Sequence, residues 1–274
     1  MSETPPVFKN THPDEEYLIG RQLGSGAFCE VRQATRKSNQ EKTAIKFVEK
    51  KHCKNIKVIE NEIKVLGRIQ HPHIARMLDV YETTENLFIV MELVEGGDLE
   101  TELFNDGAFS EEKTFKIFWQ LLQALEYIHS RQITHRDLKL DNILFCRSTH
   151  NVKLTECGTP SYAAPEIIQG NPYNQSIDIW SLGVVLHLIG YSMEEIHDNV
   201  IGGQVEFSSD VSLSDEAKDL VLKMLQQKSE DRITIADIRN HPWVLKQRQG
   251  KGGTDEMAVA SASSEIDLRT AVIV

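Results

Sequence analysis

Thr134-His135-Arg136-Asp137-Leu138-Lys139-Leu140-Asp141-Asn142-Ile143-Leu144 is the stretch on which the reading of this chain turns. It joins a helical segment to a short strand-like one. It sets a carboxylate, Asp137, five residues before an amide, Asn142, with Lys139 between them. A carboxylate at such a turn can accept a hydroxyl proton, and the hard carbonyl oxygen of an Asn can bind Mg²⁺. A lysine beside them can screen charge on a transferring phosphoryl group. The competing reading is a polar turn capped by Asp and Asn. What lies on either side decides between them.

Towards the N-terminus, residues 17–23, 28–35, 43–49, 74–82 and 87–92 read as strands separated by Gly, Lys/Asn/Gln or Thr/Glu turns. One helix interrupts them, with Ile56, Ile59, Ile63 and Leu66 on its apolar face. After Gly96-Gly97 the pattern turns helical. Ser110 followed by Glu111 and Glu112 opens a helix whose stripe is Phe115, Phe118, Leu122, Leu125 and Ile128. Residues 175–190, around Trp180, are apolar all round, which predicts a helix buried on every side. Ser214 caps a further helix with Ala217, Leu220, Val221, Met224 and Leu225 on one face. The predicted class is therefore α+β with two lobes. A polar arm (1–16) leads into a small β-rich lobe with one helix (17–92). A hinge (93–97) connects it to a larger helical lobe (98–244), and a loose tail follows (245–274).

Two further groups stand out in the small lobe. Gly24-Ser25-Gly26-Ala27-Phe28-Cys29-Glu30-Val31 lies between two strand-like segments, and its glycines let backbone amides approach phosphate oxygens. A plain hairpin turn would look the same. A dinucleotide fold wants a third Gly and a following helix, and Cys29 and a strand stand there instead. Lys46 falls on the strand Thr43-Ala44-Ile45-Lys46-Phe47-Val48, sharing a face with Ala44 and Val48. Glu62 likewise shares a helical face with Ile59, Ile63 and Leu66. A carboxylate on an apolar face needs a partner, and Lys46 is the natural one.

Taken together, the Gly-rich loop, the Ala-Ile-Lys strand, the helix Glu, the His-Arg-Asp loop and Ala164-Pro165-Glu166 occur in one order. In that order they resemble a eukaryotic protein kinase over about residues 17–244. Lys139 and Gly158-Thr159-Pro160-x-Tyr162 resemble serine/threonine kinases. Leu99, His71-Pro72-His73-Ile74 and Asn240-His241-Pro242-Trp243 resemble the calcium/calmodulin-dependent and checkpoint kinase group. The resemblance implies ATP and Mg²⁺ as cofactors and a protein Ser/Thr hydroxyl as acceptor. Leu23 and Val31 would cover the adenine, with Ala44 on the same roof, and the backbone from Gly24 through Ser25, Gly26, Ala27 and Phe28 to Cys29 would cover the phosphates. Lys46 would bind the α/β-phosphates, held by Glu62. Met91 would be the gatekeeper, Glu92 and Val94 would offer hinge backbone groups, and Leu144 would floor the pocket. Asp98 would meet the ribose or the substrate. Asp137 would orient the acceptor hydroxyl, Lys139 would assist it, and Asn142 would ligate Mg²⁺. Thr159 would help floor the acceptor site, Glu166 would pair with Arg232, and Asp178 would brace the catalytic loop.

The chain departs from the pattern after Val152-Lys153-Leu154-Thr155, where Asp-Phe-Gly is expected and Glu156-Cys157-Gly158 stands. Either this is a degenerate form of that motif, or the segment before Cys-Gly-Thr-Pro is deleted. Deletion is favoured, because five residues between Gly158 and Ala164 are too few for an activation loop with a phosphosite. A second gap follows Gly190, before a helix-like run over 193–200. Alternative splicing, a faulty gene model and true divergence would each leave such gaps. A metal held by both Asp and Asn would lose its principal anionic ligand, or keep the longer Glu156, its carboxylate displaced by one methylene. Cys157 would replace the aromatic that packs beneath the Glu62 helix. The expectation is strongly reduced or absent transfer, or a pseudokinase that binds nucleotide or partner without useful turnover.

Composition bounds the rest. In 274 residues, 30 Lys+Arg against 41 Asp+Glu leave a net charge of −11, which argues against nucleic acid or anionic membrane as the principal partner. Residues 182–189 are too short to span a bilayer, and the N-terminus has no signal-peptide pattern. Cys29, Cys53, Cys146 and Cys157 lack zinc or disulfide spacing, which points to a reducing compartment, cytoplasmic or nuclear. The terminal Thr270-Ala271-Val272-Ile273-Val274 suits strand addition to a PDZ-type edge, although a frayed end has the same look. Residues 246–251 are basic without apolar anchors, so no calmodulin-binding helix is expected there.

Overall fold

The computed structural model describes residues 6–25, 29–52, 56–155, 162–191, 205, 207 and 213–249, leaving aside the side chains of Val58, Asn61, Glu62 and Tyr191. Alternation along the central strand sets the small lobe. β1 (Phe8–Lys9), β2 (Tyr17–Ser25), β3 (Cys29–Arg36), β4 (Lys42–Glu49), β5 (Met77–Glu82) and β6 (Asn86–Glu92) form one sheet in the order β1-β5-β6-β4-β3-β2. All pairs are antiparallel except β1 with β5. Ile45 and Phe47 face a cluster with Tyr17, Ala34, Tyr81, Phe88 and Val90. Val48, on the opposite face, packs with Val80, Leu87, Ile89 and Met91 and with Ile59 and Ile63 of α1 (Ile56–Leu66). The predicted faces of β4 are therefore those observed.

Beyond shifts of one or two residues at strand ends, two boundaries differ from the sequence reading. The strand predicted from residue 74 begins at Met77, because Ile74 bridges to Leu154 in the other lobe and the chain must turn before joining the sheet. The arm, read as leading up to residue 16, contributes a strand and a short 3₁₀ turn, with Pro13 buried.

In the large lobe, β7 (Gly97–Asp98), β8 (Ile143–Cys146) and β9 (Asn151–Leu154) form a small antiparallel sheet. The helices of this lobe among the described residues are α2 (Leu99–Asp106), α3 (Glu111–His129), α4 (Pro165–Ile168), α5 (Ser176–Tyr191), α6 (Asp215–Met224), α7 (Ile235–Arg239) and α8 (Pro242–Gln249). Ser110 and Ser214 cap α3 and α6 as predicted, each accepting a backbone N–H three residues on. α5 is buried along Ile177–Ile189 by α3, α6 and the chain around Leu213, which explains its lack of a polar face. Gly96 is required where the hinge passes β8: a Cβ there would lie 1.9 Å from the Phe145 carbonyl oxygen. The described helices include none long and apolar enough to cross a membrane.

Candidate active site

The His-Arg-Asp turn is held from below by a single buried carboxylate. Asp178, fully buried on α5, accepts the backbone N–H groups of His135 and Arg136, both at 2.8 Å, and the Nε2–H of His129 at 2.7 Å. Arg136 occupies the left-handed region, with φ of 71°. A non-glycine residue there is strained by roughly 1–2 kcal/mol, so the two bonds to Asp178 fix a conformation the chain would otherwise leave. His135 is tied on its other side, its Nε2–H donating to the Thr155 carbonyl at 3.0 Å.

Above this anchor, Asp137 and Asn142 meet. The Asn142 amide nitrogen donates to the Asp137 carboxylate at 2.8 Å and to its carbonyl at 2.9 Å. That turns the Asn142 amide oxygen away from Asp137, leaving a hard oxygen for a cation. Lys139 Nζ lies 4.0 Å from Asp137 and 3.8 Å from Asp141. Nearby Glu100 is pushed above the ordinary carboxylate range by burial and by the Asp141 charge. The Asn142 amide thus closes the turn on the Asp137 backbone and also reaches the Asp137 carboxylate, a side-chain contact that a merely capped turn does not require.

The sheet supplies the roof. Gly24, Val31, Lys46 and Ile89 are successive cross-strand partners on β2, β3, β4 and β6, and Ala44 lies opposite Met91 two pairs along. Directly opposed residues share a face, so Val31, Ala44, Lys46 and Met91 all look to the side that packs on α1. Leu23, Gly24 and Ser25 lie exposed at the end of β2. Cys29 begins β3, packed against the α1-facing cluster.

The hinge is fixed at Glu92. Its N–H donates to the Arg76 carbonyl at 2.9 Å, so only its carbonyl can serve an adenine. Its carboxylate accepts the Arg76 N–H at 2.8 Å and the Lys153 ammonium at 2.6 Å. The sequence reading missed this pair, which ties the last strand of the small sheet to β9, because nothing local links positions 61 residues apart. Val94 follows, half-buried, before β7. Asp98 caps α2, its Oδ1 accepting the Thr101 N–H at 2.7 Å. Leu144, on β8, lies opposite Asp98 on one side and Lys153 on the other.

Behind Met91 the lobes enclose a cavity of about 30 Å³, lined by Leu66, Met77 and Met91 above and Ile128, His135 and Leu154 below. This cavity lies where the two lobes meet. Gly26, Ala27, Phe28, the Glu62 side chain, Glu156, Cys157, Thr159, the helix-like run 193–200 and the terminal strand-like residues lie outside the described residues. Among the described residues no cluster of three His, Cys, Asp or Glu side chains could by itself hold a metal. Asn142 fits one oxygen ligand, and the acidic ligand the resemblance implies falls at Glu156.

Beneath the site, Arg232 makes a two-pronged pair with Glu166, at 2.8 and 3.1 Å, and also donates to the Ser176 and Gln226 carbonyls. The pairing is the one the resemblance implied, and both residues are buried.

A two-lobed fold with an Asp–Asn pair at the cleft defines a class, and comparison gives the family. Residues 17–244 match the protein kinase domain, and the chain belongs to that family. It is 35% identical over 260 residues to the serine/threonine-protein kinase DCLK2 of Rattus norvegicus, covering 84% of this chain and 34% of that protein. It is 30% identical over 282 residues to the calcium/calmodulin-dependent protein kinase type 1 of Macrobrachium nipponense, covering 92% of this chain and 81% of that protein. Among solved structures it resembles Rad53 1-466 in complex with AMP-PNP, with TM-score 0.74 and 34% identity over 84% of this chain and 66% of that one. The chain spans about a third of the length of the DCLK2 relatives.

Proposed function

We propose that this chain binds ATP between its lobes and carries the design of a serine/threonine protein kinase, with transfer to protein hydroxyls strongly reduced by the missing segment after Thr155. The observation that carries this reading is the Asp137–Asn142 contact on a loop pinned by Asp178. Asp137 orients the acceptor hydroxyl and takes its proton. Lys139 steadies charge on the transferring group. Lys46 faces the α/β-phosphates from β4, and the hinge carbonyl of Glu92 meets the adenine. Asn142, with Glu156, would hold Mg²⁺, which supplies neutralisation of the phosphate charge. Loss of the usual Asp weakens that hold, and phosphoryl transfer depends almost wholly on positioning and electrostatics. The free thiols Cys29 and Cys146 accord with a reducing location, cytoplasmic or nuclear.

The second reading is a nucleotide-binding scaffold without turnover, favoured by Glu156-Cys157-Gly158. ATP titration with and without Mg²⁺, paired with phosphate transfer to a Ser/Thr peptide, separates the two. Mg²⁺-dependent binding with slow transfer, lost in D137N, supports the first. Mg²⁺-independent binding with no transfer supports the scaffold. Transfer at about 1 s⁻¹ or faster removes the claim of impairment. No ATP binding in the intact chain, or binding that survives K46M unchanged, removes both.

A further inference from the structure

The end of α1 is covered by the chain's own N-terminal arm, and we infer that this arm is a brace that holds α1, and with it the Lys46 side of the cleft, in place. The arm lies ahead of the residues that match the kinase domain. Its contacts fall at two ends. At one, Phe8 packs into the cluster that contains Ile59 and Ile63 of α1, and the Lys64 ammonium sits 5.8 Å from the Phe8 ring centre. Pro6 lies so close over Gly67, the residue after α1, that a Cβ there would come within 2.5 Å of the proline ring. At the other end, Lys9 donates to Glu16 and to the Tyr81 hydroxyl and pairs with Asp79 at 3.1 Å. That same Asp79 carboxylate accepts the Tyr17 hydroxyl at 2.6 Å and Arg36 at 2.7 Å. The arm is thus stitched to the sheet by Lys9 and wedged against the helix by Pro6 and Phe8.

A physical need underlies this arrangement. An 11-residue helix is marginal by itself and takes its stability from packing. α1 has the sheet on one side, and the arm closes the cluster at its C-terminal end. The arm itself is held by a two-residue strand pairing and a handful of side chains, which places it at the low-stability end of the molecule. A segment of that kind can be released without unfolding the lobe, and its release frees α1.

Gly67→Val tests this, since the added methyls must displace Pro6 while the last turn of α1 keeps its backbone geometry. Lys9→Met cuts the opposite anchor. In both variants of the full chain, protease cleavage within residues 6–16 is expected to appear. Amide hydrogen exchange of residues 56–66 is expected to rise about fivefold or more, with α3 unchanged, and the ATP dissociation constant to rise by a comparable factor. Release of the arm with exchange of residues 56–66 unchanged overturns the proposal, as does an arm that neither substitution releases. The nucleotide limb of this test rests on the proposed ATP reading. If the unaltered chain binds no ATP, that reading falls, while the exchange of α1 still decides for or against the brace.

Discussion

The Oδ1 atom of Asp178 accepts the backbone N–H of Arg136 at 2.8 Å, across 42 residues of sequence, and so holds a non-glycine residue at φ of 71°. Through this bond the buried helix of the large lobe sets the shape of the loop that carries Asp137. Asp178→Ala leaves two backbone N–H groups and His129 without their acceptor. The expected loss is about 3 kcal/mol or more, read as a lowered Tm, together with loss of any transfer activity. Asp178→Asn should also lose stability, because one of the two N–H donors would face an amide NH₂. An unaltered Tm in Asp178→Ala would show that the loop holds itself.

Arg232 and Glu166 form a buried pair whose breaking should cost more than its removal. Arg232→Met strands a carboxylate in the core and is expected to destabilise by about 3–5 kcal/mol. The double change Arg232→Met, Glu166→Leu is expected to recover part of that loss, measured by denaturant midpoint. Burial alone would raise the Glu166 carboxyl, but hydrogen bonds from Arg232 overcome it and hold the group below its ordinary value. The pair's contribution is therefore complete above about pH 4.5 and declines as pH falls through the lowered value.

His71 gives an acid limb at a different pH. Burial, then the charges of His73, Arg131 and Lys153, lowers it from 6.5 to about 4. It packs 5.0 Å from the Tyr127 ring, where the loop after α1 meets α3. Below pH 6.5 the unfolded chain binds a proton that the folded chain refuses, so stability falls as pH drops from 6.5 towards 4. His71→Gln should make that interval of a Tm-against-pH curve less steep, the burial-lowered His73 keeping part of the slope, while sparing the carboxylate limb below it. A parallel slope in variant and parent would rule His71 out as its source.

Glu111 gathers the lower end of the large lobe. Its carboxylate accepts the Trp243 Nε1–H and the Ser214 hydroxyl, both at 2.6 Å, and the Ser214 N–H at 3.2 Å. Glu111→Ala should destabilise by about 2–3 kcal/mol, since it orphans the Trp243 and Ser214 groups. The check is the Tm together with the near-ultraviolet signal of Trp243, which should weaken before the far-ultraviolet signal does.

Much of the fold was legible because its signals are local. The alternation of Ala44, Lys46 and Val48 against Ile45 and Phe47 assigned the two faces of β4 correctly. Ser110 and Ser214 announced their helices by cap chemistry. The apolar run around Trp180 announced a helix with no wet side. The family resemblance singled out Asp137, Asn142 and Asp178, and the structure brings Asp137 and Asn142 into contact on a loop bonded to Asp178. What escaped notice was tertiary. β1 is two residues long after a proline pair, with no periodicity to read. The start of β5 moved to Met77 because Ile74 answers to Leu154, a partner 80 residues away. The Glu92–Lys153 tie joins positions 61 residues apart that nothing local links.

The order of residues by itself pointed to the class: a glycine loop, a lysine strand, a His-Arg-Asp turn and an Ala-Pro-Glu segment, in the order of a protein kinase domain. It also located the departure after Thr155. Only the tertiary structure decided that Asp178 pins the Arg136 backbone, that Glu92 is clasped from both lobes and that Pro6 lies against Gly67. Helix caps and strand faces follow from neighbours within a few residues, whose geometry the backbone fixes. A hydrogen bond or close contact between distant segments exists only after packing has brought them together, and nothing in either segment alone records its partner.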